Sequence, residues 1–173
     1  MADRAAYYWD SCCFLSLIEG KSRWPNRVPM LELILDRCER DLCDIYTSEA
    51  TITEVAYAKY EQDKKALDPA AEKKIDALYV PVKMIEVSRF IARDARDFIR
   101  KIISHPKAKE NPTGLSLKAM DAIHLASAVR RGLKELHTYD KKLHRFDGML
   151  GVKIIRPTVP DLPLELASLP DKD

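Results

Sequence analysis

The sequence predicts an α/β fold: a three-layer α/β/α domain with a short, mainly parallel central sheet flanked by helices. Short apolar segments that favour strands alternate along the chain with longer segments of helical periodicity. No pair of strand segments is separated by the two-residue turn of a β-hairpin, so we expect parallel strands joined by helices. The 173 residues suffice for one domain with a substantial core. We assign residues 1–156 to this domain and residues 157–173 to a proline-rich C-terminal tail.

The first third of the chain predicts two strands and the helices that follow them. The apolar, aromatic run at residues 5–9 predicts a buried strand. Ser11 is the expected N-cap of a short helix that Gly20 ends. Apolar residues then recur at helical spacing over residues 28–42. The β-branched and aromatic residues at 45–47 predict the second strand.

The middle of the chain predicts a helix, a charged connection and an edge strand. Ser48 is a good N-cap, and the pattern after it predicts one helix over residues 48–60. A highly charged connection at residues 59–68 follows, and a proline-led helix is expected at residues 69–78. Residues 80–85 predict a strand at the edge of the sheet, because their proline is poorly suited to a central strand.

The last part of the domain contains two helices and two strands by the same criteria. Ser88 is the expected N-cap of an amphipathic helix that ends near residue 103. The helix predicted over residues 116–131 is largely buried, since apolar residues cover most of its circumference. Gly132 then allows the chain to turn. Short strands at residues 136–138 and 152–155 complete the predicted sheet.

Composition, charge and cysteine usage exclude few function classes. With 29 Lys plus Arg and 27 Asp plus Glu, the net charge of +2 argues neither for nor against nucleic-acid binding. The four cysteines lack the spacing of a zinc site, so we interpret them as reduced core thiols of an intracellular protein. No apolar run approaches a membrane span and the N-terminus is not a signal peptide, so the expected location is the cytoplasm.

Four carboxylates occupy positions where a parallel sheet gathers functional groups. Asp10 and Asp140 each follow a predicted strand, and ligands of open parallel sheets bind at the carboxyl ends of the strands. Asp121 lies in the first turns of the buried helix, and Glu54 lies in the helix after the second strand. Four converging carboxylates repel one another unless cations lie among them, and oxygen ligands of this kind suit Mg²⁺ or Mn²⁺.

Each acid also has a simpler explanation. Asp10 and Asp140 can cap the helices that follow them, as acids at strand ends often do. Asp121 can accept hydrogen bonds at a helix N-terminus, and Glu54 can be an exposed helical glutamate. Spacing along the chain does not decide whether the four side chains meet, so both explanations stand for each of them.

Four segments, in matching order and spacing, resemble the motifs of PIN-domain nucleases. These segments are WDSCCFL, TITEVAYA, AMDAIHLASA and LHTYDKKL. The resemblance covers roughly residues 5–156 and is strongest to VapC-type toxins of toxin–antitoxin modules. It implies a metal-dependent endoribonuclease that holds one or two Mg²⁺ or Mn²⁺ ions between catalytic acids. It also implies an RNA substrate, frequent homodimers and a small inhibitory antitoxin. The acids that match the motifs are Asp10, Glu54, Asp121 and Asp140.

The chain departs from compact toxins of this type in two ways. It is longer between Glu54 and Asp121 and in the tail, and Cys12 and Cys13 replace the usual small or branched residues. We therefore keep two alternatives open: a PIN nuclease outside any toxin–antitoxin system, and a non-catalytic module that binds RNA or protein. An aspartate-nucleophile phosphatase needs a second aspartate two residues after Asp10, where Cys12 stands.

Several polar residues are candidates for supporting roles. Ser11 can hold a water or phosphate through its hydroxyl and Thr138 can orient Asp140, although each can equally be a cap or turn residue. His124, one turn from Asp121, is interpreted as a satisfied, partly buried histidine. Basic residues near the acids can hold an RNA backbone, while interleaved acids favour a salt-bridged helix face instead. These basic candidates are Arg89, Arg93, Arg96, Arg100, Lys107 and Lys109.

Overall fold

Five parallel strands form the central sheet in the computed structural model, which describes residues 4–106 and 115–161. The spatial order is β3-β2-β1-β4-β5, and every neighbouring pair is parallel. The strands are β1 (Ala5–Trp9), β2 (Cys43–Ser48), β3 (Lys83–Ile85), β4 (Glu135–His137) and β5 (Lys153–Ile155). The predicted parallel sheet is confirmed, and β3, the strand next to Pro81, lies at an edge as expected.

Helices cover both faces of this sheet. They are α1 (Ser11–Glu19), α2 (Val28–Glu39), α3 (Ala50–Glu54), α4 (Lys59–Lys64), α5 (Pro69–Tyr79), α6 (Arg89–Ser104), α7 (Ala119–Arg130) and a 3₁₀ helix at Leu143–Phe146. No helix in the described ranges is both long enough and apolar enough to cross a membrane.

Two hydrophobic clusters, one on each side of the sheet, hold these layers together. The alternation of side chains along β1 divides its residues between them, because successive strand residues point to opposite faces. Tyr7 and Trp9 belong to the cluster that includes α1 and α2, whereas Tyr8 belongs to the cluster that includes α6 and α7. β1 is therefore buried on both faces, as the central strand of a three-layer domain requires.

The largest error of the sequence prediction concerns residues 48–60, which do not form one helix. α3 ends at Glu54, and α4 begins only at Lys59. The amide of Ala58 donates to the Glu61 carboxylate at 2.7 Å instead of to a carbonyl of the preceding turn. The charged connection predicted at residues 59–68 accordingly contains α4, because Glu61 caps the start of a new helix.

Two smaller outcomes concern helix ends. Asp10, not Ser11, is the N-cap of α1, and the Asp10 carboxylate accepts the amide hydrogen of Ser11. Gly132 adopts a φ of 76°, a left-handed conformation that confirms its predicted role in the turn after α7. The prolines at 106 and 112 also predict a loop over residues 105–114, of which residues 107–114 lie outside the described residues, as does most of the tail (residues 162–173).

Candidate functional site

The strand order creates a topological switch point between β1 and β4. After β1 the chain continues to β2 and β3 on one side, whereas β4 and β5 extend the sheet on the other. Crevices for ligands form at such points, outside the carboxyl ends of the strands. Asp10 directly follows β1, and Asp140 comes three residues after the end of β4. Both predicted strand-end acids therefore lie at the same edge, beside the switch point.

Asp10 is held in place by donors from both sides of this crevice. Its side chain is buried, with only 6% of the residue exposed. One carboxylate oxygen accepts the Ser11 amide at 2.7 Å and lies 3.3 Å from the Ser11 hydroxyl. The other accepts the Thr138 hydroxyl at 2.7 Å. Asp10 is thus a helix cap, as its simpler explanation predicts. The same carboxylate also contacts Thr138, which follows β4.

Thr138 connects the two strand ends. It is fully buried, donates from Oγ1 to Asp10, and accepts the amide hydrogen of Asp140 at 2.9 Å. The Asp140 side chain in turn accepts the amide hydrogen of Lys142 at 2.7 Å and so caps the following turn. Cys12 Sγ lies 3.2 Å from Thr138 Oγ1, so the cysteine that departs from the family pattern contacts the site. The Thr138 hydroxyl therefore positions the backbone of Asp140 and the carboxylate of Asp10.

Glu54 is attached to the buried helix α7 by His124. The Nε2 atom of His124 lies 2.5 Å from Glu54 Oε2 and 3.7 Å from Asp10 Oδ1. The Nδ1 atom lies 2.7 Å from the Tyr8 hydroxyl. Sequence reasoning placed His124 beside Asp121 and expected it to be satisfied, but it missed the contact with Glu54 and the near-complete burial. The spacing of three residues from Asp121 places both side chains on one face of α7 but does not indicate Glu54 as the partner.

The negative charges of the other acids affect the pKa of Asp121. Burial is the largest cause that raises the pKa of its carboxyl above the usual range, and the charges of Asp10 and Asp140 raise it further. His124 acts in the opposite direction, and Glu54 adds a smaller increase. The negative charges of the three other candidate acids therefore all act on the half-buried Asp121 side chain.

The imidazole of His124 titrates under the same influences. Burial disfavours its charged form, but the hydrogen bond to Glu54 and the field of the neighbouring acids outweigh burial and raise its pKa. One ligand atom from each of Asp10, Glu54 and His124 lies within 4.8 Å of the others. Two carboxylates and an imidazole at these distances form a possible site for a divalent metal ion.

The predicted RNA-contact residues lie mainly on the exposed face of α6. Arg89 and Arg93 place their guanidinium carbons 5.0 and 6.0 Å from the centre of the Phe90 ring. Arg130 joins them at 5.4 Å and also pairs with Asp94 at 2.7 Å. Since Arg130 ends α7, this cluster lies about 14 Å along that helix from Asp121, at 1.5 Å per residue.

The remaining members of the predicted basic set are placed differently. Arg96 pairs with Asp97 at 3.0 Å, in line with the salt-bridged alternative, and Arg100 is exposed on the same helix. Lys107 and Lys109 lie outside the described residues. Within the described residues, the structure therefore places Asp10 and Glu54 in one cluster with His124 and leaves Asp121 within the electrostatic influence of the other three acids, while most of the arginine stripe lies on a neighbouring surface.

Comparison with known proteins gives one family match and several similar folds. The family model described as "PIN domain" matches residues 7–149. No curated protein sequence matches the chain significantly. The structure of VapBC2 from Rickettsia felis bound to a promoter DNA fragment superposes with a TM-score of 0.57 at 15% identity. That alignment covers 86% of this chain and 96% of the other.

Two further structures share the architecture. Mycobacterium tuberculosis VapC20, described as a sarcin-ricin loop cleaving toxin, gives a TM-score of 0.56 at 14% identity, with 85% of this chain and 98% of that one covered. A toxin–antitoxin complex from Klebsiella pneumoniae gives 0.54 at 22% identity, with coverages of 88% and 98%. At these identities the comparisons establish a common fold.

Proposed function

We propose that this chain, which belongs to the PIN domain family, is an endoribonuclease that depends on Mg²⁺ or Mn²⁺ and hydrolyses RNA phosphodiester bonds. The observation that carries the proposal is the convergence of carboxylate charge at the switch point of the sheet. Carboxylate oxygens of Asp10 and Glu54 lie within 4.8 Å of each other beside His124. Burial raises the pKa of the Asp121 carboxyl, and the like charges of Asp10 and Asp140 raise it further, so a bound cation would relieve the repulsion between these acids. We assign Asp10, Glu54, Asp121 and Asp140 to the metal and the reaction.

The roles follow from where each side chain is held. Asp10 is fixed by the Ser11 amide and the Thr138 hydroxyl, so its carboxylate is an inflexible ligand. Asp121 and Asp140 are half-buried and thus within reach of a substrate phosphate. A divalent cation held by these acids would activate a water molecule and neutralise charge on the phosphodiester under attack. Ser11 and Thr138 support this arrangement by orienting the Asp10 carboxylate.

A finer proposal is that the chain is the toxin of a type II toxin–antitoxin module. It is supported by the fold shared with VapBC2 of Rickettsia felis and with the Klebsiella pneumoniae toxin–antitoxin complex. Under this proposal the nuclease acts on cytoplasmic RNA, and a small antitoxin protein is its inhibitory partner. The RNA would be held in part by the exposed arginines of α6, whose contacts with phosphates are independent of sequence.

The direct test is RNA cleavage by the purified full chain with Mg²⁺ or Mn²⁺, with and without excess chelator. We expect cleavage that chelator abolishes, and a loss of at least about 100-fold in Asp10→Asn and Asp121→Asn, because these substitutions remove charged metal ligands. Asp63→Asn, an exposed acid of α4, is the matched control and should cleave normally. Wild-type rates in either site variant, or cleavage that resists chelator, would contradict the assignment.

A further inference from the structure

We propose that Tyr8 and His124 are positioning residues that fix the Glu54 carboxylate in the orientation needed to bind the metal. The inference rests on the proposed metal-dependent function and adds to it two residues that do not carry the chemistry themselves. It is carried by a continuous chain of hydrogen bonds that begins in the core of the sheet and ends at Glu54. That chain crosses β2, β1, α7 and α3 in turn.

Glu54 is poorly fixed by its own helix. α3 contains only five residues, Glu54 is the last of them, and Val55 already has a non-helical conformation. The Glu54 side chain is 26% exposed. A glutamate at the end of so short a helix retains most of its rotamer freedom, and ordering it at a metal would cost that entropy. An outside contact is therefore needed to hold the carboxylate in one place before a cation binds.

His124 provides that contact from a rigid position. It lies in the middle of the twelve-residue α7, and its side chain is only 1% exposed. Its Nε2 atom lies 2.5 Å from Glu54 Oε2, so one carboxylate oxygen is held by the imidazole. In this proposal the second oxygen of Glu54 binds the metal. The same Nε2 lies 3.7 Å from Asp10 Oδ1, which places the imidazole edge between two of the acids.

Tyr8 sets the direction of this hydrogen-bond chain. The Tyr8 oxygen accepts the amide hydrogen of Ser48 at 3.0 Å, and we assign its own proton to the 2.7 Å bond with His124 Nδ1. With Nδ1 as the acceptor, the ring carries its proton on Nε2 and donates it to Glu54. Tyr8 is fully buried in the central strand, which prevents the hydroxyl from exchanging this bond for water. With this assignment every hydrogen bond in the series is donated in the same direction, from Ser48 towards Glu54.

Partners of this kind behind a metal ligand change metal affinity more than they change the fold. Loss of a hydrogen bond to a ligating group typically weakens metal binding by about 10- to 100-fold. The alternative assignment is that His124 itself ligates the cation, since its Nε2 lies within 4.8 Å of carboxylate oxygens of Asp10 and Glu54. The two assignments predict different outcomes for the same pair of substitutions.

The experiment measures Mn²⁺ affinity by titration calorimetry on the full chain, a readout independent of RNA cleavage. His124→Gln places an amide N–H near the position of the imidazole Nε2–H, whereas His124→Asn reaches only the position of Nδ1. We expect His124→Asn to bind Mn²⁺ about 10- to 100-fold more weakly and His124→Gln to stay within about 3-fold of wild type. Both substitutions are polar and similar in size, so their difference reports the bond to Glu54.

Tyr8→Phe tests the inner half of the chain, with Tyr60→Phe on the exposed surface of α4 as its matched control. We expect a loss of several-fold in Mn²⁺ affinity for Tyr8→Phe and none for Tyr60→Phe. Equal affinity of wild type and His124→Asn would overturn the positioning role while leaving the metal site intact. Equal loss in the Gln and Asn variants would also overturn it and favour His124 as a ligand. A wild-type chain that binds no Mn²⁺ would overturn this inference together with the proposed function.

Discussion

At the residue scale, Asp121 carries the electrostatic argument for the proposed metal site. Its carboxyl is half-buried at the start of α7, and burial together with Asp10 and Asp140 raises its pKa. A carboxyl whose folded-state pKa exceeds its unfolded value is destabilised as an anion by folding. Metal-free protein at neutral pH therefore contains an electrostatic strain at this position that a bound cation would relieve.

We predict that Asp121→Asn is more stable than wild type in the presence of chelator, and that the difference depends on pH. At neutral pH the ionised Asp121 carboxylate lowers the free energy of unfolding of the wild type. The variant should therefore melt at least about 2 °C higher, which corresponds to a gain of less than about 1 kcal/mol in a chain of this length. As the pH falls through the raised folded pKa towards the unfolded value near 3.9, the wild type becomes protonated and the difference should vanish. Thermal melts followed by circular dichroism across this range measure the effect.

Added Mn²⁺ should stabilise the wild type and stabilise the same variant less, because the variant lacks one of the proposed ligands. Asp63→Asn is again the control, since Asp63 is an exposed residue paired with Lys59. An Asp121→Asn protein that is less stable than wild type at pH 7 in chelator would show that the carboxylate has a compensating partner. That outcome would remove the electrostatic argument for a metal at this position.

Residue-scale prediction from the sequence succeeded for groups placed by strand ends and failed for contacts between distant segments. Asp10 and Asp140 were found because a residue that follows a buried strand has a defined place in a parallel sheet. The bond between His124 and Glu54 joins residues 70 positions apart. Nothing local to either residue encodes it, since it depends on how α3 and α7 approach each other across the end of the sheet.

At the scale of elements, strands and long helices were predictable and the region after β2 was not. Residues 48–60 have good helical periodicity, and Ala58 is not one of the usual N-cap residues, so the sequence gives little sign that Glu61 accepts its amide hydrogen and begins a new helix. The break matters for function, because it places Glu54 at the end of a short helix instead of in the middle of a long one. The helix propensity of the segment was overridden by this local capping interaction.

The exposed face of α6 gives a prediction at the same scale. Arg89 and Arg93 surround the exposed ring of Phe90, a combination of guanidinium groups and an aromatic face that suits single-stranded RNA. We predict that the double substitution Arg89→Ala, Arg93→Ala weakens binding of RNA to the catalytically inactive Asp10→Asn protein. Two lost phosphate contacts should reduce the slope of log affinity against log salt by about 1.4. Fluorescence anisotropy at several salt concentrations measures both quantities.

A matched control is available on the opposite face of the sheet. Arg37 and Arg40 lie at the end of α2, and their double substitution by alanine removes the same charge from the protein. If both double variants lower affinity equally, the effect is one of net charge and α6 is not a binding surface. If the α6 variant leaves affinity and salt slope unchanged, its arginines belong to a solvated face, as the pairing of Arg130 with Asp94 and of Arg96 with Asp97 suggests.

At the scale of the whole molecule, the candidate site consists of residues from four separate parts of the fold. The four acids come from the end of β1, from α3, from α7 and from the turn after β4. Each of the two hydrophobic clusters fixes some of these elements relative to the sheet. The site therefore exists only in the complete fold, and the family match over residues 7–149 spans all four acids. The residues between Glu54 and Asp121 add α4, α5, β3 and α6 without separating the acids.

The toxin proposal makes its prediction at this whole-molecule scale. An endoribonuclease released from its inhibitor degrades RNA in its host, so induced expression of the wild-type chain in a bacterial host should arrest growth. Asp10→Asn should not arrest growth at the same expression level, because it keeps the fold and loses the activity. Co-expression of a small protein from the neighbouring reading frame should restore growth with the wild-type chain. Growth curves with matched immunoblots test each statement. If several hosts grow normally while they express protein that cleaves RNA in vitro, the toxin role is rejected but the nuclease activity is not.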